Sequence, residues 1–207
     1  MSTRGVVAVR REDGGWTGVY NHDSSYPTEL GKDVWRHFRE KLNEGDAELH
    51  NACLEMLQFD DWRNYLAGGV CPYCGKTGLG QPHSIRGDVY LAGIEGSEYP
   101  DPDAKGHSHG ELGDKITSEE NDPLFHEWVY VVDPFKQTIE VLASVREPGE
   151  HEEGPNRIGE MWMDPNYGFA TVHTLTLYGV EPTWEYLERA GELIKEAARQ
   201  RVEGVPA

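Results

Sequence analysis

The chain is poor in basic residues and in long apolar runs, and each shortage excludes a class of protein. Lysine and arginine number 19 against 37 acidic residues, which leaves a formal net charge of −18. Such a chain repels phosphate backbones and anionic lipid surfaces, so we expect it to bind neither nucleic acid nor membranes. No apolar run approaches the roughly 20 residues of a membrane span, and no apolar segment behind a basic start indicates a signal peptide.

Cysteine content and chain length indicate one domain from a reducing compartment. Three cysteines, an odd number, do not make the disulfide framework of a secreted protein. A chain of 207 residues provides one sizeable domain rather than two. The sequence also lacks a Gly-rich phosphate loop, an HExxH helix and a GxSxG turn. We therefore expect a single-domain cytoplasmic protein without those three types of site.

Local patterns predict strands in both halves of the chain. Short β-branched runs separated by turn residues predict an N-terminal hairpin over 5–20 and a second hairpin over 126–144. Alternation predicts a further strand within 169–180, with Val172, Thr174 and Thr176 on one face. The second half of the chain therefore contributes at least three strands.

Helical spacing of apolar residues predicts a helical layer over 29–66 and a C-terminal helix. Asp46 is a plausible N-cap of the second helix in the layer, and Cys53 lies on that helix's apolar stripe. The predicted stripe of the C-terminal helix comprises Trp184, Leu187, Ala190, Leu193, Ile194, Ala197 and Ala198. Hairpins with helices grouped between and after them predict an α+β fold with a mainly antiparallel sheet of at least five strands.

Residues 71–125 form an acidic insertion, rich in Gly and Pro, with little to build a hydrophobic core from. The segment opens with Cys71-Pro72-Tyr73-Cys74-Gly75, a tight turn that can aim two thiolates at one tetrahedral ion. We predict a structural zinc ion there, which would order the insertion. The further ligands are expected among His83, His107 and His109. Inert thiols and a redox couple are the alternatives for the cysteine pair.

A second metal hypothesis concerns the histidine pair alone. His107 and His109, with Glu111 or Asp114, have the composition of a catalytic metal site with an open position. The surroundings of His151 resemble the second metal motif of cupins. The acid expected after the histidine pair is missing, and a cupin does not end in a long helix.

Polar residues gather where the first hairpin begins and ends. Ser2, Thr3 and Arg4 lead into the first strand, and Asn21 and Asp23 follow the second. In an N-terminal-nucleophile enzyme the free α-amine serves as the base for its own side chain. We predict Ser2 or Thr3 as the nucleophile, with Asn21 stabilising an oxyanion and Arg4 or Asp23 orienting the substrate or the amine.

Two stretches carry a resemblance to known proteins. The TRG start, the segment YNHDSSYPTELG over 20–31 and the segment WVYVVDPFKQTIEVL over 128–142 resemble a family of uncharacterised phage and bacterial proteins. The opening is also similar to choloylglycine-type N-terminal-nucleophile hydrolases, which begin with a nucleophile followed by strand, turn and strand. Those enzymes use cysteine at the processed terminus, where this chain has Ser2 and Thr3.

We therefore expect a hydrolase of amide-like bonds that acts on a small molecule or a peptide and carries a structural zinc ion. The alternative is a non-enzymatic acidic protein that mimics DNA or binds a basic partner, with a phage or defence role. A cleft joining Thr3, Arg4, Asn21 and Asp23 would favour the enzyme. A flat acidic face remote from them would favour the interaction protein.

Overall fold

The computed structural model describes residues 3–22, 24–59, 61–68, 83–85, 107–109, 115–118, 126–145 and 168–202. The strands are β1 Gly5–Arg10, β2 Trp16–Asn21, β3 His83–Ile85, β4 His107–His109, β5 Ile116–Thr117, β6 Trp128–Asp133, β7 Thr138–Ser144 and β8 Phe169–Thr176. The helices are α1 Lys32–Glu44, α2 Asp46–Met56, α3 Trp62–Leu66 and α4 Trp184–Val202, and a π-helical turn over Pro27–Gly31 precedes α1.

Six strands form one mixed sheet in the order β5-β2-β1-β6-β7-β8, while β3 and β4 pair separately. Every neighbouring pair is antiparallel except β1 and β6, which run parallel with Gly5 opposite Trp128. The first strand of the chain therefore lies inside the sheet and not at its edge. The α+β class and the mainly antiparallel sheet predicted from sequence are confirmed.

Both predicted hairpins form, because their turns suit the strands that they join. In the first, Arg11 N–H donates to the Gly15 carbonyl at 2.8 Å, and Gly14 adopts φ +90°, which favours glycine. In the second, the Asp133 carboxylate accepts the backbone N–H groups of Phe135 and Lys136 at 3.1 and 3.0 Å. In each turn these hydrogen bonds satisfy backbone groups that would otherwise lack partners.

The helices pack on one face of the sheet, over a large apolar core. Alternate residues of the strands, such as Val7, Tyr130 and Val141, face the buried side chains of the four helices. Cys53 is buried in this core, as the helical spacing predicts. Burial raises the pKa of the Cys53 thiol to about 12, with the Asp133 charge as a second cause. Cys53 is therefore a core residue that stays protonated at neutral pH.

The opposite face of the sheet carries a second apolar cluster. In the described part of the chain it consists of strand residues alone: Val6, Ala8, Trp16, Val129, Val131, Leu142 and Phe169, with Ile116 beside them. An ion pair between Arg10 and Glu140 lies on the strands of this sheet, and Thr171 Oγ1 donates to the same carboxylate at 2.6 Å. The central strands β1 and β6 are thus buried on both faces.

Three details of the predicted elements are wrong, each for a local reason. The N-cap of α2 is Gly45 and not Asp46. The backbone turns at Gly45 with φ +143°, a conformation that residues with a side chain rarely adopt. The pairing register of β7 with β8 shifts between Val141 and Leu142. Val172 therefore packs against the same core as Leu175 and does not share a face with the exposed threonines of β8.

The third correction concerns the buried stripe of α4. Leu193 and Ala197 are exposed, whereas Gly191 and Lys195 are buried. Gly191 lies against the ring of Trp128, and Lys195 Nζ lies 4.6 Å from the centroid of the same indole. Lys195 also pairs with Glu192 at 3.0 Å and with Glu127 at 3.6 Å. The aliphatic part of the Lys195 side chain is thus buried at a position that the apolar pattern of α4 does not include.

Candidate functional site

Three buried polar residues lie together at the start of β1 and the end of β2. Asn21 is paired in register with Gly5, and its side-chain N–H donates to Ser25 Oγ at 2.9 Å. Ser25 N–H donates to the carbonyl of Thr3 at 3.2 Å. Thr3, Asn21 and Ser25 are each no more than 2% exposed. The loop after β2 therefore folds back onto the strand that follows Thr3.

The sequence permits this fold-back through two local features. Ser24 adopts φ +55°, which turns the chain back toward β1. Gly5 has no Cβ, and a Cβ built there would lie 2.7 Å from Ser25 Cβ. Tyr130 Oη donates to the Ser25 carbonyl at 2.8 Å and fixes the loop from the neighbouring strand β6. Burial raises the pKa of Tyr130, so its hydroxyl stays protonated and remains a donor.

Thr3 is the chemically notable member of this cluster. Its Oγ1 is buried and has no hydrogen-bond partner among the described residues. Buried hydroxyls in folded proteins normally have a partner, and an orphaned one calls for an explanation. Nearby Asn21 and Ser25 already bond to each other.

The structure brings together only part of the predicted nucleophile site. Thr3 and Asn21 lie on either side of Ser25, which the sequence analysis did not single out. Arg4 is exposed, and its carbonyl accepts the N–H of Glu127 at 2.9 Å. Ser2 and Asp23 lie outside the described residues. Ser25 was missed because its role depends on the turn at Ser24, three residues after β2 ends.

A second cluster surrounds Tyr20. Its hydroxyl lies 3.2 Å from His22 Nδ1, and its ring meets the rings of His22 and His126 edge-on, with centroids 5.9 and 5.7 Å away. The backbone of Tyr20 is bridged to Asp61, which caps α3. All four residues are half-buried. No local sequence pattern indicates this cluster, because the parallel pairing of β1 and β6 brings His126 close and that pairing joins distant parts of the chain.

Tyr20 and Asn21, one from each cluster, lie on opposite faces of the sheet. Tyr20 and Asn21 are consecutive in β2, so their side chains point to opposite faces. Tyr20 is paired in register with Val6, which belongs to the second apolar cluster of the sheet, and Asn21 is paired with Gly5.

A third polar group, around His37, ties α1 to α3. His37 Nε2 lies 2.8 Å from Tyr65 Oη, and the rings of Phe38, Trp62 and Tyr65 surround the imidazole. Burial, and then the charge of Lys41, lowers the pKa of His37 to about 4. Burial raises the pKa of Tyr65. Both groups are neutral at pH 7, which suits a packing role.

An open groove of about 540 Å³ lies between α1 and the loop after β8. Trp35 forms its base, and the Arg39 guanidinium stacks 4.7 Å above that ring and donates to the Gly179 carbonyl. Tyr178 and Val180 form an exposed wall. Arg36 and Glu181 form an ion pair at 3.0 Å beside it.

Two of the five predicted zinc ligands fall outside the described structure, and the other three lie in β3 and β4. Cys71 and Cys74 are not among the described residues. The backbones of the three histidines lie in β3 and β4, which pair antiparallel with His83 opposite His109 and Ile85 opposite His107. In the portion of the chain that the structure describes, no three His, Cys, Asp or Glu side chains are grouped to hold a metal ion.

Among the helices of the described ranges, none combines the length and the apolar character that a bilayer crossing requires. No family model matches the chain. No curated protein and no solved structure matches it either. The functional conclusion therefore depends on the site geometry alone.

Proposed function

We propose that this chain hydrolyses amide-like bonds with the hydroxyl of Thr3 or Ser2 as nucleophile. The observation that supports Thr3 is its buried Oγ1, which lacks a partner among the described residues, in a residue whose carbonyl accepts the N–H of Ser25. Thr3 also precedes β1, an inner strand of the sheet, and strand ends on a rigid sheet position reacting groups accurately.

In the proposed reaction, removal of the preceding residues gives Thr3 a free α-amine and opens its hydroxyl to solvent. Oγ1 attacks the substrate carbonyl carbon while its proton passes to the amine. The amine then protonates the leaving nitrogen as the C–N bond breaks, which leaves an ester on Thr3. Water attacks that ester, and its proton returns to Oγ1 through the same amine as the acid product departs.

The neighbouring residues are assigned supporting roles in this proposal. The Asn21 amide, fixed by Ser25, donates to the oxyanion of the tetrahedral intermediate. The exposed Arg4 guanidinium attracts a carboxylate on the substrate, and Asp23 orients the substrate or the amine. The α-amine acts as the base for the hydroxyl of its own residue, as in other N-terminal nucleophiles.

The test combines intact mass with covalent labelling. Purified protein is treated with a β-lactone, which acylates an N-terminal hydroxyl, and with a panel of acyl p-nitroanilides. We expect a shortened N-terminus, one added acyl group mapped to Thr3, and turnover at least about 100-fold above that of Thr3→Ala. Thr28→Ala, which removes a hydroxyl bonded to Glu188 away from this cluster, is the matched control and should label like the wild type.

Mapping of the label to Ser2 would transfer the role to that residue. Two outcomes would overturn the proposal. One is that protein which turns over the anilides retains Met1. The other is that the double variant Ser2→Ala/Thr3→Ala is labelled as strongly as the wild type.

We further propose that Cys71 and Cys74 bind a structural zinc ion together with histidines of β3 and β4. The register that sets His83 opposite His109 supports it, because directly opposed residues of an antiparallel pair share a face. Elemental analysis of protein purified in metal-free buffer is expected to give about one zinc per chain. Less than about a tenth of an equivalent would refute it.

A further inference from the structure

One long stretch of this highly charged chain carries no formal charge, and it lies at the surface. Residues 168–180 contain no Asp, Glu, Lys or Arg, although such residues make up 27% of the chain. They form β8 and the loop that follows it. Thr171, His173, Thr174 and Thr176 of β8 are exposed, as are Tyr178 at 67% and Val180 at 92%. On a chain of charge −18, an exposed segment without formal charge indicates an interaction surface.

Among the strands that the structure describes, β8 is also the last of the sheet, so one side of it faces away from β7. Leu177 N–H donates to the Gln137 carbonyl at 2.9 Å, which fixes the alternation of the ladder. Residues 173 and 175 therefore direct their backbone groups to β7, and Thr174 and Thr176 direct theirs outward.

Only part of this outward edge is already used. The Thr176 carbonyl accepts Trp35 Nε1–H at 3.4 Å and Gly179 N–H at 3.1 Å, which closes the end of the strand. Within the described ranges, no group bonds the outward N–H and carbonyl of Thr174. Exposed edges are usually blocked by lysine or proline, and β8 has neither. The edge around Thr174 is thus not paired by any residue that the structure describes.

We propose that β8 pairs antiparallel with β8 of a second copy of this chain, with Thr174 opposite the partner's Thr174. The charge distribution selects this occupant. A basic partner would be drawn to the acidic surface and would find no counter-charge along 168–180. Two copies that each carry a charge of −18 repel each other elsewhere, so a contact between them must lie where charge is absent.

The strand chemistry suits such a two-fold contact. An outward-facing residue opposite its own copy exchanges two backbone hydrogen bonds with it. Threonine side chains opposite each other are favourable cross-strand pairs. The result would be one continuous sheet across two copies of the chain.

Sedimentation velocity on the full chain tests this proposal. We expect wild-type protein at about 50 µM to sediment as a dimer. A contact limited to the edges of two strands is small, and small specific contacts have dissociation constants in the micromolar range. Dimerisation should strengthen as NaCl rises, because salt screens the repulsion between the copies. Association with a basic partner would weaken with salt instead.

Thr174→Lys places like charges opposite each other across the two-fold axis and should weaken dimerisation at least about tenfold. Asn51→Lys adds the same charge at an exposed site on α2 and is the matched control. In wild-type protein, amide exchange at Thr174 should slow as concentration rises, whereas exchange at Leu175 should not change.

Three results obtained without any added peptide would overturn the proposal. They are a monomeric wild type at high salt and concentration, equal dimerisation of Thr174→Lys and Asn51→Lys, and exchange at Thr174 that is independent of concentration. Protection of Thr174 that requires an added peptide strand would assign the edge to a foreign partner and would equally refute self-pairing.

Discussion

Gly191 lies inside α4, where glycine normally costs helix stability, and the reason is the Trp128 ring beneath it. A Cβ built at this position would lie 2.8 Å from Trp128 Cζ3. Replacement of a helical glycine by alanine usually stabilises by about 1 kcal/mol. We expect Gly191→Ala to destabilise the protein by about 1–3 kcal/mol instead, because the indole must move within a packed core.

Urea unfolding of a double-mutant cycle with Trp128→Phe checks this prediction. In the Phe background, which lacks the outer ring, Gly191→Ala should regain the usual helical benefit. A destabilisation of the same size in both backgrounds would show that the indole is not the cause.

His37 is a second residue whose surroundings give a measurable effect. Its pKa is about 4 in the folded protein against an ordinary value of 6.5, chiefly because of burial. Between these values the unfolded chain binds the proton and the folded chain does not, so stability rises with pH. The contribution is complete above pH 6.5 and is lost as pH falls toward 4. After allowance for partial exposure, it amounts to about 2 kcal/mol.

The measurement is the unfolding free energy of the wild type and His37→Gln across this pH range. The loss of stability on acidification should be about 2 kcal/mol smaller in the variant. Imidazole NMR shifts give an independent value for the folded-state pKa. Parallel pH profiles for the two proteins would contradict the prediction.

At the scale of secondary-structure elements, the pairing of β3 with β4 distinguishes two candidate zinc ligands. His109 is opposite His83, whereas His107 is opposite Ile85. We expect His109→Ala to lower zinc content and affinity by at least about 100-fold, and His107→Ala to have a much smaller effect. Competition with a chromogenic chelator measures both. Loss of zinc in His107→Ala alone would assign the site to the other register position.

Elements with a strong local pattern could be predicted from sequence, and details set by neighbouring strands could not. The hairpins and α1 form because turn residues and apolar spacing act over a few positions. The faces of β8 were misjudged at Val172, since the shift in register after Val141 depends on pairing with β7. Lys195 was omitted from the core because its burial depends on Trp128, far away in sequence.

The candidate site follows the same division. Thr3 and Asn21 could be placed at one end of the first hairpin, because a hairpin fixes its own register. Ser25 and His126 could not, because their positions depend on a loop bend and on the parallel pairing with β6. No pattern of residue types marks either contact in advance.

At the scale of the whole molecule, the net charge of −18 works against compactness. Screening this repulsion should raise stability. Between about 20 and 500 mM NaCl we expect a gain of about 1–2 kcal/mol. This gain corresponds to an increase of about 2–8 °C in Tm.

Thermal unfolding of dilute protein measures the effect, with sucrose of matched osmolality as the control for non-ionic stabilisation. A Tm that stays constant or falls with added NaCl would show that attractive pairs, such as Arg36 with Glu181, outweigh the excess of negative charge.

The parallel pairing of β1 with β6 also determines when this protein can fold during synthesis. Gly5 leaves the ribosome early, yet its partner Trp128 is more than a hundred residues later in the chain. At translation rates of about 5–20 residues per second, β1 and β2 must wait on the order of ten seconds for the strand that completes their side of the sheet. During that interval the nascent hairpin exposes valines that would adhere to other chains, so folding in the cell should depend on chaperones that bind this first segment.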